Sequence, residues 1–336
     1  MARSAGLLTV GCAIGVLVVA SGCDAQPAPT APPTRPFLVV ANQRSGVATL
    51  VELTSGRVSH VDLDAKPHEV AVSPDGRVAA LTIPSEAFQF RNGRKVVALD
   101  LATAKIARTI DIGDYKNPHG VAFVSDSVAL IGTLAGTSAV YVDVRNGRVL
   151  RSVDGLPENP YIVKTTTTGR AYVSSPHASK VTEIDIALAR VMRTIDIPDD
   201  PAGIAVSADG RELFAAVWRQ GTGGGIAIFE LDKGAVAVKL PATQPRRITV
   251  TPDGELVVAS DRDHLRIIDR ASREMKSVAL GQNAGGSGVA CAPDSTRCYV
   301  ALSEAGEIAE VDVRATRVLR RFAAQEGVDG LAYVAR

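Results

Sequence analysis

The chain has 336 residues, and its 37 Lys and Arg residues nearly balance 36 Asp and Glu residues, giving a formal net charge of +1. A hydrophobic content of 46% can bury a large core, which excludes a wholly disordered chain. The near-neutral charge excludes the concentrated basic surface of nucleic-acid binders and a polybasic membrane patch, so we predict no nucleic-acid partner.

Residues 1–22 have the pattern of an export signal. Arg3 precedes an uncharged apolar run from Leu7 to Val19, which is shorter than the ~20 residues that a membrane-spanning helix needs. The run leads into Ala20-Ser21-Gly22-Cys23, which resembles a bacterial lipobox, in which the Cys23 thiol receives lipid. An ordinary cleaved secretory signal and an N-terminal anchor helix are the alternatives.

Residues 23–36 follow as a lipidated cysteine and a tether. The segment is rich in proline, so we expect it to be extended and unable to form a core. The sequence therefore predicts an exported protein that Cys23 anchors through lipid to the cell membrane or envelope, facing the periplasm or the cell exterior.

One pattern recurs throughout residues 37–336. Its clearest copies are Pro67-His68-Glu69-Val70-Ala71-Val72-Ser73-Pro74-Asp75-Gly76 and Pro201-Ala202-Gly203-Ile204-Ala205-Val206-Ser207-Ala208-Asp209-Gly210, and copies begin at residues 67, 118, 160, 201, 245, 286 and 328. A period of roughly 40–45 residues with short β-rich units is typical of propeller blades. Each copy is predicted to be the innermost of four strands, and a turn of the Pro-Asp-Gly type ends the fuller copies.

Each repeat also carries an acidic residue where its third strand ends and a turn begins. A carboxylate at such a position can accept hydrogen bonds from turn amides, so we predict a structural role rather than a catalytic one. These residues are Glu52, Asp100, Asp143, Asp185, Glu230, Asp269 and Asp312.

The two chain ends complement each other. The last copy, at 328–334, supplies only an innermost strand, whereas residues 37–65 supply three strands without one. Joined, they predict an all-β, seven-bladed β-propeller whose last blade is closed by both chain ends, which removes an open sheet edge. Two stacked β-domains would not explain this complementarity.

The repeats resemble the YVTN-type repeats of bacterial extracytoplasmic β-propellers. The match is good at residues 201–211 and at Asp100-Leu101-Ala102-Thr103-Ala104-Lys105. The resemblance implies the fold strongly and the function weakly, because relatives include binding proteins, surface-layer proteins, amine dehydrogenase propellers, haem d1 proteins and lactonase-like enzymes.

Chemical motifs are missing from the sequence. It has no Cys-x-x-Cys-His, Gly-x-Ser-x-Gly or Walker loop, and none of its five histidines has a zinc spacing such as His-x3-His. We therefore predict no cofactor and no metal, in a monomer that binds a small ligand or an envelope protein without catalysis. The alternatives are a cofactor-dependent redox or lactonase-like enzyme with its site at the channel mouth, and a structural envelope protein.

The predicted binding site lies on the face where the innermost strands begin. Because propeller strands alternate in direction, the loops that enter these strands share a face with the loops between second and third strands. The second position of the repeat contributes most of the polar side chains, and a small zwitterionic or mildly anionic ligand is expected to contact Arg246. The predicted site residues are His68, His119, Tyr161 and Arg246 at the centre, Asp329 beside them and Trp218 on the rim.

Cys291 and Cys298 flank the first hairpin turn of the sixth repeat. Opposed strand residues lie near the ~3.8 Å Cβ separation that a disulfide needs, and an exported compartment permits oxidation. We predict a disulfide between them; the alternative is a pair of small buried thiols.

Overall fold

A computed structural model describes residues 1–2, 35–85, 92–219 and 223–335. The predicted export signal, Cys23 and most of the tether lie outside the described residues. Residues Pro32–Arg336 form one compact unit, which contains every described strand. No helix in the described part of the chain is long and apolar enough to cross a membrane.

The described strands form seven antiparallel four-stranded sheets, the blades, with one short 3-10 helix at Pro176–Ala178. In chain order they are β1 (Phe37–Asn42), β2 (Val47–Glu52) and β3 (Val58–Asp62) of blade 7; β4 (Val70–Val72), β5 (Val78–Ile83), β6 (Lys95–Asp100) and β7 (Lys105–Asp111) of blade 1; β8 (Pro118–Phe123), β9 (Val128–Thr133), β10 (Ser138–Asp143) and β11 (Arg148–Val153) of blade 2; β12 (Val163–Thr165), β13 (Arg170–Ser175), β14 (Lys180–Asp185) and β15 (Arg190–Asp196) of blade 3; β16 (Pro201–Val206), β17 (Glu212–Arg219), β18 (Gly223–Glu230) and β19 (Ala235–Ala242) of blade 4; β20 (Pro245–Val250), β21 (Leu256–Asp261), β22 (His264–Asp269) and β23 (Met275–Ala279) of blade 5; β24 (Gly286–Cys291), β25 (Arg297–Leu302), β26 (Glu307–Asp312) and β27 (Arg317–Ala323) of blade 6; and β28 (Val328–Val334), the innermost strand of blade 7.

Both chain ends build blade 7. Strand β28 pairs with β1 in antiparallel register, with Phe37 opposite Val334 and Val39 opposite Ala332. The sheet order β28-β1-β2-β3 confirms the predicted seven-bladed propeller and its closure by the termini. Because β28 pairs with β1, blade 7 is complete and β1 has no unpaired edge.

The hydrophobic core lies between neighbouring blades. The second and third strands are buried on both faces because each blade packs against two others, which is why they are almost wholly apolar. Between blades 1 and 2, for example, Ala80 and Val96 pack in one cluster with Val121, Ile131 and Val140. The outermost strands are mostly exposed, as in β7. The innermost strands are thus held from behind by a rigid scaffold.

The five aspartates that end third strands accept turn amides, as their spacing suggests; of the two glutamates, Glu52 accepts the Ser55 hydroxyl and Glu230 pairs with Lys233. Asp100 Oδ1 accepts hydrogen bonds from the backbone N of Thr103 at 2.8 Å and of Ala102 at 3.1 Å. Asp269 Oδ1 accepts the backbone N of Ser272 at 2.8 Å in the same way. These carboxylates stabilise turns on the face opposite to the predicted site.

A disulfide joins the first two strands of blade 6. Cys291 on β24 lies directly opposite Cys298 on β25, and their sulfur atoms are bonded in the structure. The sulfur pair lies among buried apolar residues between blades 5 and 6, away from the central channel.

Candidate functional site: the mouth of the central channel

Neighbouring innermost strands approach each other closely around the central channel, because glycine occupies the third position of several repeats. The backbone N of Gly120 donates to Tyr161 O at 2.7 Å, and that of Gly330 donates to His68 O at 3.0 Å. A Cβ atom at Gly120 would lie only 2.3 Å from Tyr161 O, so only glycine fits there. This close approach brings the second-position side chains of adjacent repeats into contact.

Three aromatic rings from blades 1 to 3 lie in contact at the channel mouth: His119 stacks on Tyr161, and His68 is tilted by 48° against His119. The ring centroids of His68 and His119 are 4.0 Å apart, and those of His119 and Tyr161 are also 4.0 Å apart, with an interplanar angle of 25°. His119 is 2% exposed. Burial, reinforced by His68, lowers the pKa of His119 well below its usual value, so its imidazole is neutral.

An ion pair crosses the channel beside this stack. Arg247 of blade 5 donates from Nε to Glu69 Oε1 of blade 1 at 2.9 Å, and its Nη2 contacts the same oxygen. The guanidinium carbon lies 5.3 Å from the Tyr161 ring centroid, within cation–π range. Burial alone would raise the pKa of Glu69, but the charge of Arg247 outweighs it and holds that pKa well below its usual value. The pair is therefore ionised.

The structure corrects the predicted position of one site residue. Arg246 was expected at the centre, but its side chain is exposed, whereas the neighbouring Arg247 is 9% exposed. A register shift between Pro245 and Ile248 occurs at the start of β20, as it does at the start of β8, where the second-position residue His119 is buried. The sequence signal for Arg247 is a charge at the third position, where most other repeats have glycine.

Blades 6 and 7 complete the site. Ser287 Oγ donates to Asp329 Oδ1, and Asp329 Oδ2 lies 3.2 Å from His68 Nδ1. Glu69, adjacent to His68, was not among the predicted site residues, although its carboxylate belongs to the same group. We call the following residues the mouth cluster: His68, Glu69, His119, Tyr161, Arg247 and Asp329.

Trp218 stands apart from the mouth cluster. It lies near the end of β17, opposite Gly224, and its side chain is partly buried. Its backbone N donates to Asp200 O at 3.1 Å. No ring contact joins Trp218 to the mouth cluster within the described ranges. Trp218 therefore lies on the face that is predicted to carry the site, but outside the mouth cluster.

A small cavity of about 50 Å³ lies in the channel, with Glu69, Lys164 and Arg247 in its lining. Lys164 is not among the predicted site residues; it occupies a repeat position where the other copies have alanine or threonine. Burial lowers the pKa of its ammonium group, against the opposing charge of Glu69. Within the described part of the chain, no carboxylate lies within 4.0 Å of this ammonium.

Sequence comparisons support a β-propeller protein. No model of a known protein family matches the chain. "Uncharacterized protein YncE" of Salmonella typhi and of Salmonella typhimurium are each 26% identical over 185 residues, which are 55% of this chain and 48% of each relative. The WD repeat-containing protein SL1-17 of Schistosoma mansoni is 25% identical over 159 residues, covering 45% of this chain and 52% of that protein. The chain spans about half the length of these curated relatives.

Solved structures show the same fold at low sequence identity. A chain of the hydrazine synthase of Kuenenia stuttgartiensis superposes with a TM-score of 0.68 and 16% identity, covering 78% of this chain and 87% of that one. A functionally unknown protein from Desulfotomaculum acetoxidans DSM 771 superposes with a TM-score of 0.73 and 15% identity, covering 88% and 98%. At such identities the likeness concerns the fold alone.

Proposed function

We propose that this β-propeller binds a small carboxylate-bearing ligand at the mouth of its central channel and does no chemistry on it. The observation that carries the proposal is Lys164, a cation in the channel cavity without a carboxylate partner among the described residues. The mouth cluster lies where the innermost strands begin, so a ligand that enters the channel from that face passes the mouth cluster before it reaches the cavity.

Lys164 has no ion-pair partner among the described residues. Glu69 and Arg247 neutralise each other across the channel. Lys164 is partly exposed, and its ammonium group can donate a charge-assisted hydrogen bond to the carboxylate of a bound ligand. The ligand's negative group is therefore expected beside Lys164, with the rest of the ligand against the rings of His119 and Tyr161.

The size of the cavity limits what can enter it. A water molecule occupies about 30 Å³ of liquid, so a cavity of about 50 Å³ admits a carboxylate group or one to two waters. Sites for large organic ligands measure roughly 300–1,000 Å³. This difference favours a small ligand over the alternative of a redox enzyme that holds a haem d1 or a quinone in the channel.

We also propose that the propeller is exported and held at a membrane by lipid on Cys23. The support is the sequence of residues 1–36, with its lipobox-like segment and proline-rich tether. Such an anchor would leave the propeller free to meet small solutes outside the cytoplasmic membrane.

The binding proposal is tested with citrate, succinate and L-glutamate as probes. Ligands that bind only the folded state raise the melting temperature, so at least one probe should stabilise the full-length protein. Lys164→Met should abolish that shift, whereas Lys116→Met, an exposed lysine on the same face, should keep it. An equal shift in Lys164→Met, or no shift of the wild type by any of the three probes, would contradict the proposal.

A further inference from the structure

Two buried imidazole nitrogens at the channel mouth have no hydrogen-bond partner among the residues that the structure describes. These are Nδ1 of His68 and Nδ1 of His119, on adjacent blades. His68 Nδ1 lies 3.6 Å from Glu69 Oε1 and 3.2 Å from Asp329 Oδ2, yet neither contact has hydrogen-bond geometry. Leaving a buried polar atom unsatisfied costs about 1–3 kcal/mol, so two such atoms side by side call for an explanation.

The carboxylate of Glu69 completes a set of three metal-ligating groups. One ligating atom from each of His68, Glu69 and His119 lies within 4.8 Å of the others. Metal bonds to nitrogen and oxygen measure about 2.0–2.2 Å, so two ligand atoms on one tetrahedral ion lie roughly 3.4 Å apart. The His68 and Glu69 side chains already approach to 3.6 Å, although this distance is from Nδ1 to Oε1, the oxygen that Arg247 holds.

Both carboxylates are fixed by one oxygen only. Arg247 holds Glu69 through Oε1, which leaves Oε2 for an ion. Ser287 holds Asp329 through Oδ1, and Oδ2 faces His68. Neighbours that orient ligating carboxylates in this way are typical of protein metal sites.

We infer that His68, Glu69 and His119 form a site for a divalent transition-metal ion such as Zn²⁺ or Co²⁺, with the Asp329 carboxylate beside His68. Two imidazoles and a carboxylate suit ions of this borderline class better than Ca²⁺ or Mg²⁺, which prefer oxygen ligands alone. The carboxylate of Glu69, which Arg247 orients, and the nearby carboxylate of Asp329 bring negative charge to the ion, and the orphaned nitrogens gain a partner. This site does not depend on Lys164 and does not rest on the proposed carboxylate ligand.

The test is titration of full-length protein, without a histidine tag and stripped with EDTA, with CoCl₂. The visible absorption of bound Co²⁺ should saturate at one ion per chain. His119→Phe keeps a ring in the stack but removes a ligand, and His68→Ala removes another. Each should weaken Co²⁺ binding by more than the roughly 10–100-fold that loss of a ligand's hydrogen-bonded neighbour causes. His264→Ala, a histidine on the same face, should bind as the wild type does.

A second measurement needs no variant: Zn²⁺ should raise the melting temperature of the stripped wild type. Absence of Co²⁺ binding by the wild type, unchanged binding by folded His119→Phe or His68→Ala, or equal loss in His264→Ala would overturn the inference. Lys164→Met should keep Co²⁺ binding, so failure of the metal site and failure of the carboxylate site are separate results.

Discussion

The Nε atom of Arg247 lies 2.9 Å from Oε1 of Glu69, although the two residues belong to blades 5 and 1, which are not neighbours in the ring. Both side chains are nearly enclosed, with 10% and 14% exposure. The ion pair therefore links opposite sides of the channel wall and fixes the Glu69 carboxylate beside the two histidines. Its partners are drawn from repeats that are distant in sequence, so repeat spacing alone does not reveal it.

Breaking this ion pair from one side should destabilise the propeller. Arg247→Met leaves the Glu69 carboxylate buried without a counter-charge, which costs about 3–5 kcal/mol for a buried pair. In the double variant Glu69→Gln with Arg247→Met, most of this loss should be recovered because no charge remains unpaired. Urea unfolding of the two variants measures the difference, and equal stability of single and double variants would show that the pair is not coupled.

The close approach of the innermost strands should make Gly120 intolerant of a side chain. Gly120→Ala places a Cβ atom 2.3 Å from Tyr161 O, and overpacking of this kind typically costs about 1–3 kcal/mol. Gly136→Ala in the same blade is the matched control, because its Cβ would meet nothing closer than 4.0 Å. Urea unfolding should find the control close to the wild type, and a tolerated Gly120→Ala would mean that the ring can expand.

The sequence predicts the scaffold well because the scaffold repeats. The recurring strand and turn residues define the blades, and the incomplete copies at the two ends define how the ring closes. The face that carries the site also follows from strand direction, and His68, His119 and Tyr161 are found together there.

The remaining site residues depend on contacts that have no repeat. The buried arginine of the site is Arg247 and not the predicted Arg246, and Glu69 takes part because Arg247 of blade 5 reaches it across the channel. The sequence alone does not show that Lys164 lines the channel, because this depends on how the innermost strands are arranged around it. Residues that depart from the repeat consensus at positions facing the channel are therefore the sequence feature that indicates the candidate site.

Turn carboxylates should make the propeller sensitive to acid. Ser207 first, and then Arg270 of the next blade, donate hydrogen bonds to Asp209 and lower its pKa from 3.8 to about 2. A lowered pKa in the folded state gives stability that is present above 3.8 and is lost as the pH falls towards 2. In Asp209→Asn the melting temperature should fall less steeply over this interval, whereas Asp114→Asn should follow the wild type. Identical slopes for all three proteins would contradict this.

Lipid on Cys23 should decide where the protein is found in the cell. Cys23→Ser removes the thiol that would receive the acyl chains, each buried methylene of which adds ~0.8 kcal/mol of membrane affinity. We expect the variant to move from the membrane fraction to the soluble fraction on cell fractionation. Ser21→Ala keeps a small residue before the cysteine and should stay with the membrane. Unchanged membrane association of Cys23→Ser would rule out the lipid anchor.

The most direct test of the binding site is diffraction from crystals of the full-length protein grown with whichever of citrate, succinate and L-glutamate raises its melting temperature most. We predict electron density for a carboxylate of that probe within hydrogen-bond distance of Lys164 Nζ, with the remainder of the molecule directed towards the mouth cluster. Density for the probe on another surface only, or a protein carboxylate paired with Lys164 in place of the ligand, would contradict the proposed site.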